Sequence, residues 1–167
     1  TLNQYTVTAN ADGNGSGPVS SDLGGISYGY PAANTGTRSA LDHGSAITLT
    51  ATADAGSTVS WSGCTATGGT STVATCTFVS LSGNQTVSAT FTLDTHTLTV
   101  TLAGSGAGSV TSSPAGIDCG TTCSSLFDYG EEVTLTATPS DGAQFRGWRG
   151  DADCEDGEVC TRDRCAL

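Results

Sequence analysis

Seven cysteines are the residues of this chain whose type and spacing most directly suggest chemistry. Cys64 and Cys76 bracket a loop of Gly, Ser and Thr, and Cys154 and Cys160 bracket a loop at the matching place in a second copy of the same sequence unit. Matching loops favour two disulfides, Cys64–Cys76 and Cys154–Cys160. Two cysteine pairs can also form a tetrahedral four-thiolate zinc site, but the spacings differ between the copies and no Cys-x2-Cys occurs. We therefore predict disulfides and no metal.

The other three cysteines lie in the C-terminal half of the chain. Cys119 and Cys123 stand four residues apart in turn-forming sequence, which suits a local disulfide. Cys165 is the odd one out: it is unpaired, exchanges with Cys160 for Cys154, or bonds another chain. Closely spaced cysteines in a short chain indicate an oxidising, extracytoplasmic compartment.

One dense acidic run follows the last Trp. Asp151, Asp153 and Glu155 have the D-x-D-x-E spacing that begins a calcium loop. The glycine of such a loop falls one place late, at Gly157, and Arg162 stands where a bidentate acid is expected. We predict an acidic loop paired with nearby arginines and no cofactor, and we keep calcium at these three acids as the weaker alternative.

Four aromatic residues raise the question of ligand stacking. Trp61 and Trp148 recur in register with apolar strand positions, so we predict that both are core anchors rather than sugar platforms. Tyr28 and Tyr30 lie in a stretch without periodicity, which makes them the better candidates for exposed recognition of a carbohydrate.

We find no catalytic constellation in the chain. A hydrolase would need an activated nucleophile beside His43 or His96, and no motif such as G-x-S-x-G is present. The sequence therefore predicts that the protein is not an enzyme.

The elements that must position these residues are β-strands. Thr alternates with Ile, Val, Leu and Ala along several stretches, which is typical of strands with one solvated face. Among 167 residues, 16 are Asp or Glu and five are Arg, with no Lys, for a net charge of −11. So acidic a chain has no electrostatic footprint for nucleic acid, and no apolar run approaches a membrane span.

Strand and turn signals divide the first half of the chain. Tyr5–Ala9 alternates as a first strand, the Gly-rich stretch 11–18 predicts a turn, and a second strand from Val19 is expected to return beside the first. Residues 20–44 show no clean period and are predicted to form a long loop. Ile47–Thr52 alternates again, with Ile47, Leu49 and Ala51 expected to face inward.

The same sequence unit is then repeated. His96 onward matches Tyr5 onward, 91 residues later, which predicts tandem modules at 1–92 and 93–167. Nothing in the second module corresponds to Thr86–Phe91, so it lacks a recognisable last strand. The chain is a fragment cut from a longer one, residues 162–167 form an irregular substitute, or another chain supplies the strand.

The second module resembles a known family. Gly104–Cys123 with its Cys-x3-Cys, Val133–Pro139 and the Phe-Arg-Gly-Trp-Arg-Gly at 145–150 are similar to divergent InlB B-repeat modules of bacterial secreted and surface proteins. Residues 5–92 resemble a looser copy. The resemblance implies small all-β modules, β-grasp-like or small sandwiches, strung in tandem outside the cell, with neither enzyme activity nor a defined ligand.

These observations predict two tandem, small, antiparallel, disulfide-stapled β modules. We expect a non-catalytic stalk, rod or filament segment of a bacterial secreted or cell-surface protein, whose partners are neighbouring modules or further copies of itself joined by strand donation. The alternative is an adhesin module that binds carbohydrate or a host surface, with a glycan as partner. Neither nucleic acid nor membrane insertion is expected.

Overall fold

The computed structural model describes residues 3–120, 123–149, 159–161 and 164–166. These residues form β-strands and contain no helix. The chain divides into two compact units, Thr1–Asp94 and Thr95–Leu167, here called unit 1 and unit 2. The predicted all-β class, with small disulfide-stapled sheets, is confirmed.

Unit 1 contains nine strands that form two sheets. The strands are β1 (Gln4–Gly13), β2 (Gly17–Ser21), β3 (Ser27–Tyr30), β4 (Thr35–Asp42), β5 (Ile47–Thr52), β6 (Ser57–Ser62), β7 (Ala66–Gly69), β8 (Val73–Phe78) and β9 (Gln85–Leu93). A four-stranded sheet has the order β4-β1-β9-β6, and a five-stranded sheet has the order β3-β2-β5-β8-β7.

One ladder of unit 1 departs from the expected antiparallel pattern. β1 and β9 run parallel, in continuous register from Val7 beside Gln85 to Gly13 beside Phe91. β9 also pairs antiparallel with β6, so the last strand of the unit lies at the centre of its sheet. Sequence periodicity predicts a strand here but carries no information about its partner, which is why the parallel pairing was missed.

The core of unit 1 lies between its two sheets. Ile47, Leu49 and Ala51 of β5 are fully buried, as the alternation predicts. β9 contributes Val87, Ala89 and Phe91 to the same cluster from the other sheet, again at every second residue. Because β5 and β9, one from each sheet, turn their buried faces toward the same cluster, the unit is a small sandwich.

Two predictions for unit 1 are wrong. β1 does not form a hairpin with β2, because β2 crosses to the five-stranded sheet and pairs with β3 and β5. Residues 20–44 are not one long loop, since they contain β3 and β4. Both are edge strands of their sheets, and an edge strand that covers little core does not need the apolar alternation by which strands are recognised.

Unit 2 contains seven strands within its described residues. They are β10 (Thr95–Thr99), β11 (Gly108–Ser113), β12 (Asp118–Cys119), β13 (Ser124–Asp128), β14 (Glu132–Pro139), β15 (Val159–Thr161) and β16 (Arg164–Ala166). A five-stranded sheet has the order β12-β11-β14-β16-β15, and β10 pairs with β13 in a separate two-stranded ladder.

The five-stranded sheets of the two units have the same topology. β11, β12, β14, β15 and β16 take the places of β2, β3, β5, β7 and β8, and every ladder is antiparallel in both. β10 and β13 correspond in the same way to β1 and β4. Within the described part of unit 2, no strand takes the place of β6 or β9. β16 extends the sheet of β14 and so does not replace the strand that corresponds to Thr86–Phe91.

Candidate functional site

The parallel ladder between β1 and β9 joins the two ends of unit 1, and an asparagine closes it at each end. The amide N–H of Thr6 donates to the Asn84 side-chain oxygen at 2.9 Å. At the opposite end the amide N–H of Leu93 donates to the Asn14 side-chain oxygen at 3.0 Å. These bonds satisfy main-chain groups that the ladder leaves free at its ends.

Both asparagines escaped the sequence analysis. Asn14 lies in the Gly-rich stretch after β1, and Asn84 immediately precedes β9. Asparagine is favoured at such places because its short side chain bonds to nearby main chain. That preference could have marked them as turn residues, but only the fold shows that both act on one ladder.

Gly13 ends the ladder at the point where β1 meets Phe91. Its φ of +109° lies in the region that side chains disfavour, and a Cβ at this position would overlap the carbonyl oxygen of Phe91. The same carbonyl accepts the N–H of Gly15 at 3.1 Å. Glycine is therefore required for β1 to approach β9 this closely.

Tyr28 and Tyr30 tie the two sheets of unit 1 together. The Tyr28 hydroxyl donates to the Ala9 carbonyl at 3.0 Å, and the Tyr30 hydroxyl donates to the Gly13 carbonyl at 2.7 Å. The Tyr30 ring also stacks on Phe91, with centroids 5.7 Å apart and planes 8° apart. Both tyrosines stand on β3 and pack against the core, so their assignment to an exposed recognition loop is wrong.

The stability of unit 1 should depend on the protonation of Tyr28. Burial raises the pKa of its phenol to about 12 from the ordinary 10.0. The folded state thus favours the neutral phenol, and this contribution is complete below about pH 10 and is lost as the pH rises toward about 12. Urea denaturation across that range should show a falling midpoint. In Tyr28→Phe the urea midpoint should fall less over this pH range, because the variant has no phenol at this position to ionise. An equally steep fall in the variant would show that Tyr28 does not cause the pH dependence.

Two of the predicted disulfides are present in the structure. Cys64–Cys76 joins the segment after β6 to β8 with Cα atoms 5.4 Å apart, and Cys119–Cys123 joins β12 to the residue before β13 with Cα atoms 4.8 Å apart. Both separations lie within the range that a disulfide spans. No group of three or more metal-ligating side chains occurs in the described ranges.

Two of the C-terminal cysteines lie on the last two strands of unit 2. β15 and β16 place Cys160 directly opposite Cys165, and Cys165 lies beside Val133 of β14. Because Val133 corresponds to Ile47, which pairs with Phe78 in unit 1, Cys165 takes the sheet position of Phe78. Cys154 lies outside the described residues, so the predicted Cys154–Cys160 bond and the unpaired state of Cys165 stay predictions.

Both tryptophans pack against the core of their own unit. Trp61 is partly buried against the cluster of unit 1, and its indole N–H donates to the Ala74 carbonyl of the opposite sheet at 3.1 Å. Trp148 is partly buried against the cluster of unit 2 and meets Phe145 edge to face, with ring centroids 5.1 Å apart. Each indole is thus partly covered by residues of its own unit.

The remaining candidates are three acidic residues and two histidines. The calcium candidates Asp151, Asp153 and Glu155 lie outside the described residues. His43 lies near the Tyr5 ring in unit 1 and His96 near the Tyr129 ring in unit 2, with centroids 6.0 and 5.9 Å apart. No helix in the described part of the chain is long and apolar enough to cross a membrane.

The repeated topology defines this chain as a pair of tandem all-β modules stapled by short-range disulfides. A profile of the divergent InlB B-repeat domain matches residues 26–95 and 98–163, which together make up most of the chain. The chain belongs to the divergent InlB B-repeat family, as the sequence motifs predict. It is thus a bacterial repeat module of a family that is not defined by a catalytic activity. Comparisons with curated proteins and with solved structures returned no match.

Proposed function

We propose that this protein is a stalk or rod segment of a bacterial secreted or cell-surface protein, and that unit 1 carries tension along its length. The observation that carries the proposal is the parallel pairing of the first and last strands, β1 and β9. The family and the disulfides support a place outside the cytoplasm, because disulfides persist in oxidising compartments.

Parallel terminal strands put the two chain ends at opposite ends of the unit. The chain enters at Gln4, next to the beginning of the ladder, and leaves at Leu93, beyond its far end. With about 3.3 Å per residue along a strand, the unit advances the chain by roughly 35 Å. Tension on the ends pulls β1 and β9 in opposite directions along their axes, so all the ladder's hydrogen bonds resist together.

The ties around the ladder suit this role. Asn14 and Asn84 close its two ends, and Tyr28 and Tyr30 bind β1 to the opposite sheet. The adhesin alternative rested on these tyrosines and on residues 20–44 as an exposed loop, and those residues contain β3 and β4. Since their hydroxyls donate to main chain and their rings pack inward, no observation on the described residues favours that alternative over the stalk.

Single-molecule pulling tests the proposal through its direction dependence. Handles attached at residues 3 and 94 load the ladder in shear. Handles at residues 3 and 84 load the same ladder from one end, since Asn84 lies beside Thr6, and open its bonds one at a time. Forced unfolding reports the barrier to unfolding. We expect a severalfold higher force in the first geometry, and equal forces would overturn the proposal.

A further inference from the structure

We infer that Asn14 is a gated modification site: when its end of the β1–β9 ladder opens, Asn14 converts spontaneously to aspartate or isoaspartate. Asn14 is followed by Gly15, and an asparagine before glycine is chemically reactive. The next main-chain nitrogen can attack the side-chain amide, and glycine has no side chain to hinder the attack. The inference concerns the chemistry of this ladder end and does not depend on the tension-bearing role of unit 1.

The conversion uses only water and hydroxide. The main-chain nitrogen of Gly15 loses its proton to hydroxide and attacks Cγ of Asn14, which forms a nitrogen–carbon bond. The Cγ–Nδ2 bond breaks, and the amide nitrogen leaves as ammonia after taking a proton from water, which regenerates the hydroxide. Water then opens the resulting cyclic imide at either of its carbonyl carbons. One opening gives aspartate, and the other gives isoaspartate, in which the main chain runs through the former side chain.

The closed ladder withholds both reacting groups from this step. The N–H of Gly15 donates to the Phe91 carbonyl at 3.1 Å, so its proton is held within the fold. The Asn14 side-chain oxygen accepts the N–H of Leu93 at 3.0 Å, which directs the side chain toward β9. A main-chain N–H held in this way loses its proton when the structure around it opens. The attack therefore has to wait until this ladder end opens.

Packing around Gly15 holds the main chain in place as well. Gly15 is buried, and a Cβ built on it would lie 2.9 Å from the Ser57 hydroxyl oxygen and 3.1 Å from the Leu93 nitrogen. Asn14 itself is exposed, so water reaches its side chain in the folded protein. The reaction is thus limited by movement of the main chain rather than by access of water.

Asn84 provides the contrast at the opposite end of the same ladder. Its side-chain oxygen accepts the N–H of Thr6 at 2.9 Å, so it closes that end with a bond of the same kind. The residue that follows it is Gln85, whose side chain crowds the main-chain nitrogen. The two ends share a tie but differ in reactivity, and of the two asparagines Asn14 is the one expected to convert.

The two products differ in their effect on the ladder. An aspartate at position 14 still offers a side-chain oxygen that can accept the N–H of Leu93. Isoaspartate lengthens the main chain between residues 14 and 15 by one methylene group, and the close packing around Gly15 leaves no room for that shift. The isoaspartate form therefore cannot restore the bond between Gly15 and Phe91, and this end of the ladder stays open.

Peptide mass mapping of the full chain tests the inference. The chain is kept in mildly alkaline buffer, with and without urea above the unfolding midpoint, and conversion is followed at Asn14 and Asn84. We expect Asn14 to convert at least about tenfold more slowly in the folded chain than in urea. The factor should agree, within about threefold, with the factor by which folding slows hydrogen exchange of the Gly15 N–H, since both require the same opening.

Three results of this experiment would overturn the inference. They are equal rates at Asn14 with and without urea, no conversion of Asn14 even in urea, and conversion of Asn84 in urea as fast as that of Asn14. The measurement uses the natural chain, so it does not depend on whether any variant folds.

Two variants at Leu93 separate its hydrogen bond from its side chain. Leu93→Pro removes the N–H that Asn14 accepts, whereas Leu93→Ala keeps it. In the folded protein we expect conversion at Asn14 to be about tenfold faster in Leu93→Pro than in the natural chain, and to change less than about threefold in Leu93→Ala. Equal acceleration in the two variants, or none in either, would contradict the gating role of this bond.

Discussion

Replacing Phe91 by alanine should lower the free energy of unfolding of unit 1 by about 3–5 kcal/mol, the largest effect expected from a single substitution. Phe91 is fully buried at the far end of the β1–β9 ladder, and the Tyr30 ring stacks on it. Truncation would leave a cavity between the two sheets and remove that stacking contact. The main chain at Gly13 and Gly15 already lies close to β9. We therefore expect it to move little into the cavity.

Urea denaturation followed by Trp61 fluorescence measures this effect, in a Trp148→Phe background so that only unit 1 reports. Phe145→Ala in unit 2, in a Trp61→Phe background so that only Trp148 reports, is the matched control, since Phe145 is 48% exposed. Its cost should stay near about 1 kcal/mol. A loss below about 1 kcal/mol for Phe91→Ala would show that β9 does not anchor the sandwich.

Reducing the Cys64–Cys76 disulfide is expected to destabilise unit 1 by about 3 kcal/mol, the second largest effect. The bond closes a loop with a sequence separation of 12, and it restricts the unfolded chain more than the folded one. Unit 1 contains no other cysteine, so its response to reductant reports this bond alone.

The measurement compares the urea midpoint of unit 1 with and without dithiothreitol. A Cys64→Ala, Cys76→Ala double variant provides the control, because its midpoint should not respond to the reductant. If the midpoint of the natural chain is equally unresponsive, the disulfide does not stabilise unit 1. The reduced, unfolded chain would then already be as restricted as the disulfide-bonded one.

The strands of the core could be predicted from sequence because burial imposes a period on them. Ile47–Thr52 and Thr86–Phe91 alternate without interruption, and the structure buries the predicted faces of both. The Cys64–Cys76 and Cys119–Cys123 bonds followed from spacing in the same direct way. In each case residues close in sequence show the pattern: burial of one strand face requires alternation, and a short disulfide requires closely spaced cysteines.

The partners of those strands could not be predicted, because pairing is decided by contacts distant in sequence. The Gly-rich stretch after β1 suggested a hairpin, yet its glycines let the chain cross to the other sheet. The strands β3 and β4 carry little apolar alternation, since each lies at an edge. Tyr28 and Tyr30 were consequently assigned to a loop, although their hydroxyls bond to β1.

The position of β9 has a consequence for how unit 1 folds. The strand that is made last occupies the centre of the four-stranded sheet, between β1 and β6. Synthesis proceeds from the N-terminus, so β1, β4 and β6 emerge well before the strand that joins them, and the β1–β9 contacts span nearly the whole unit. Unit 1 therefore cannot complete its core until β9, including Phe91, is available.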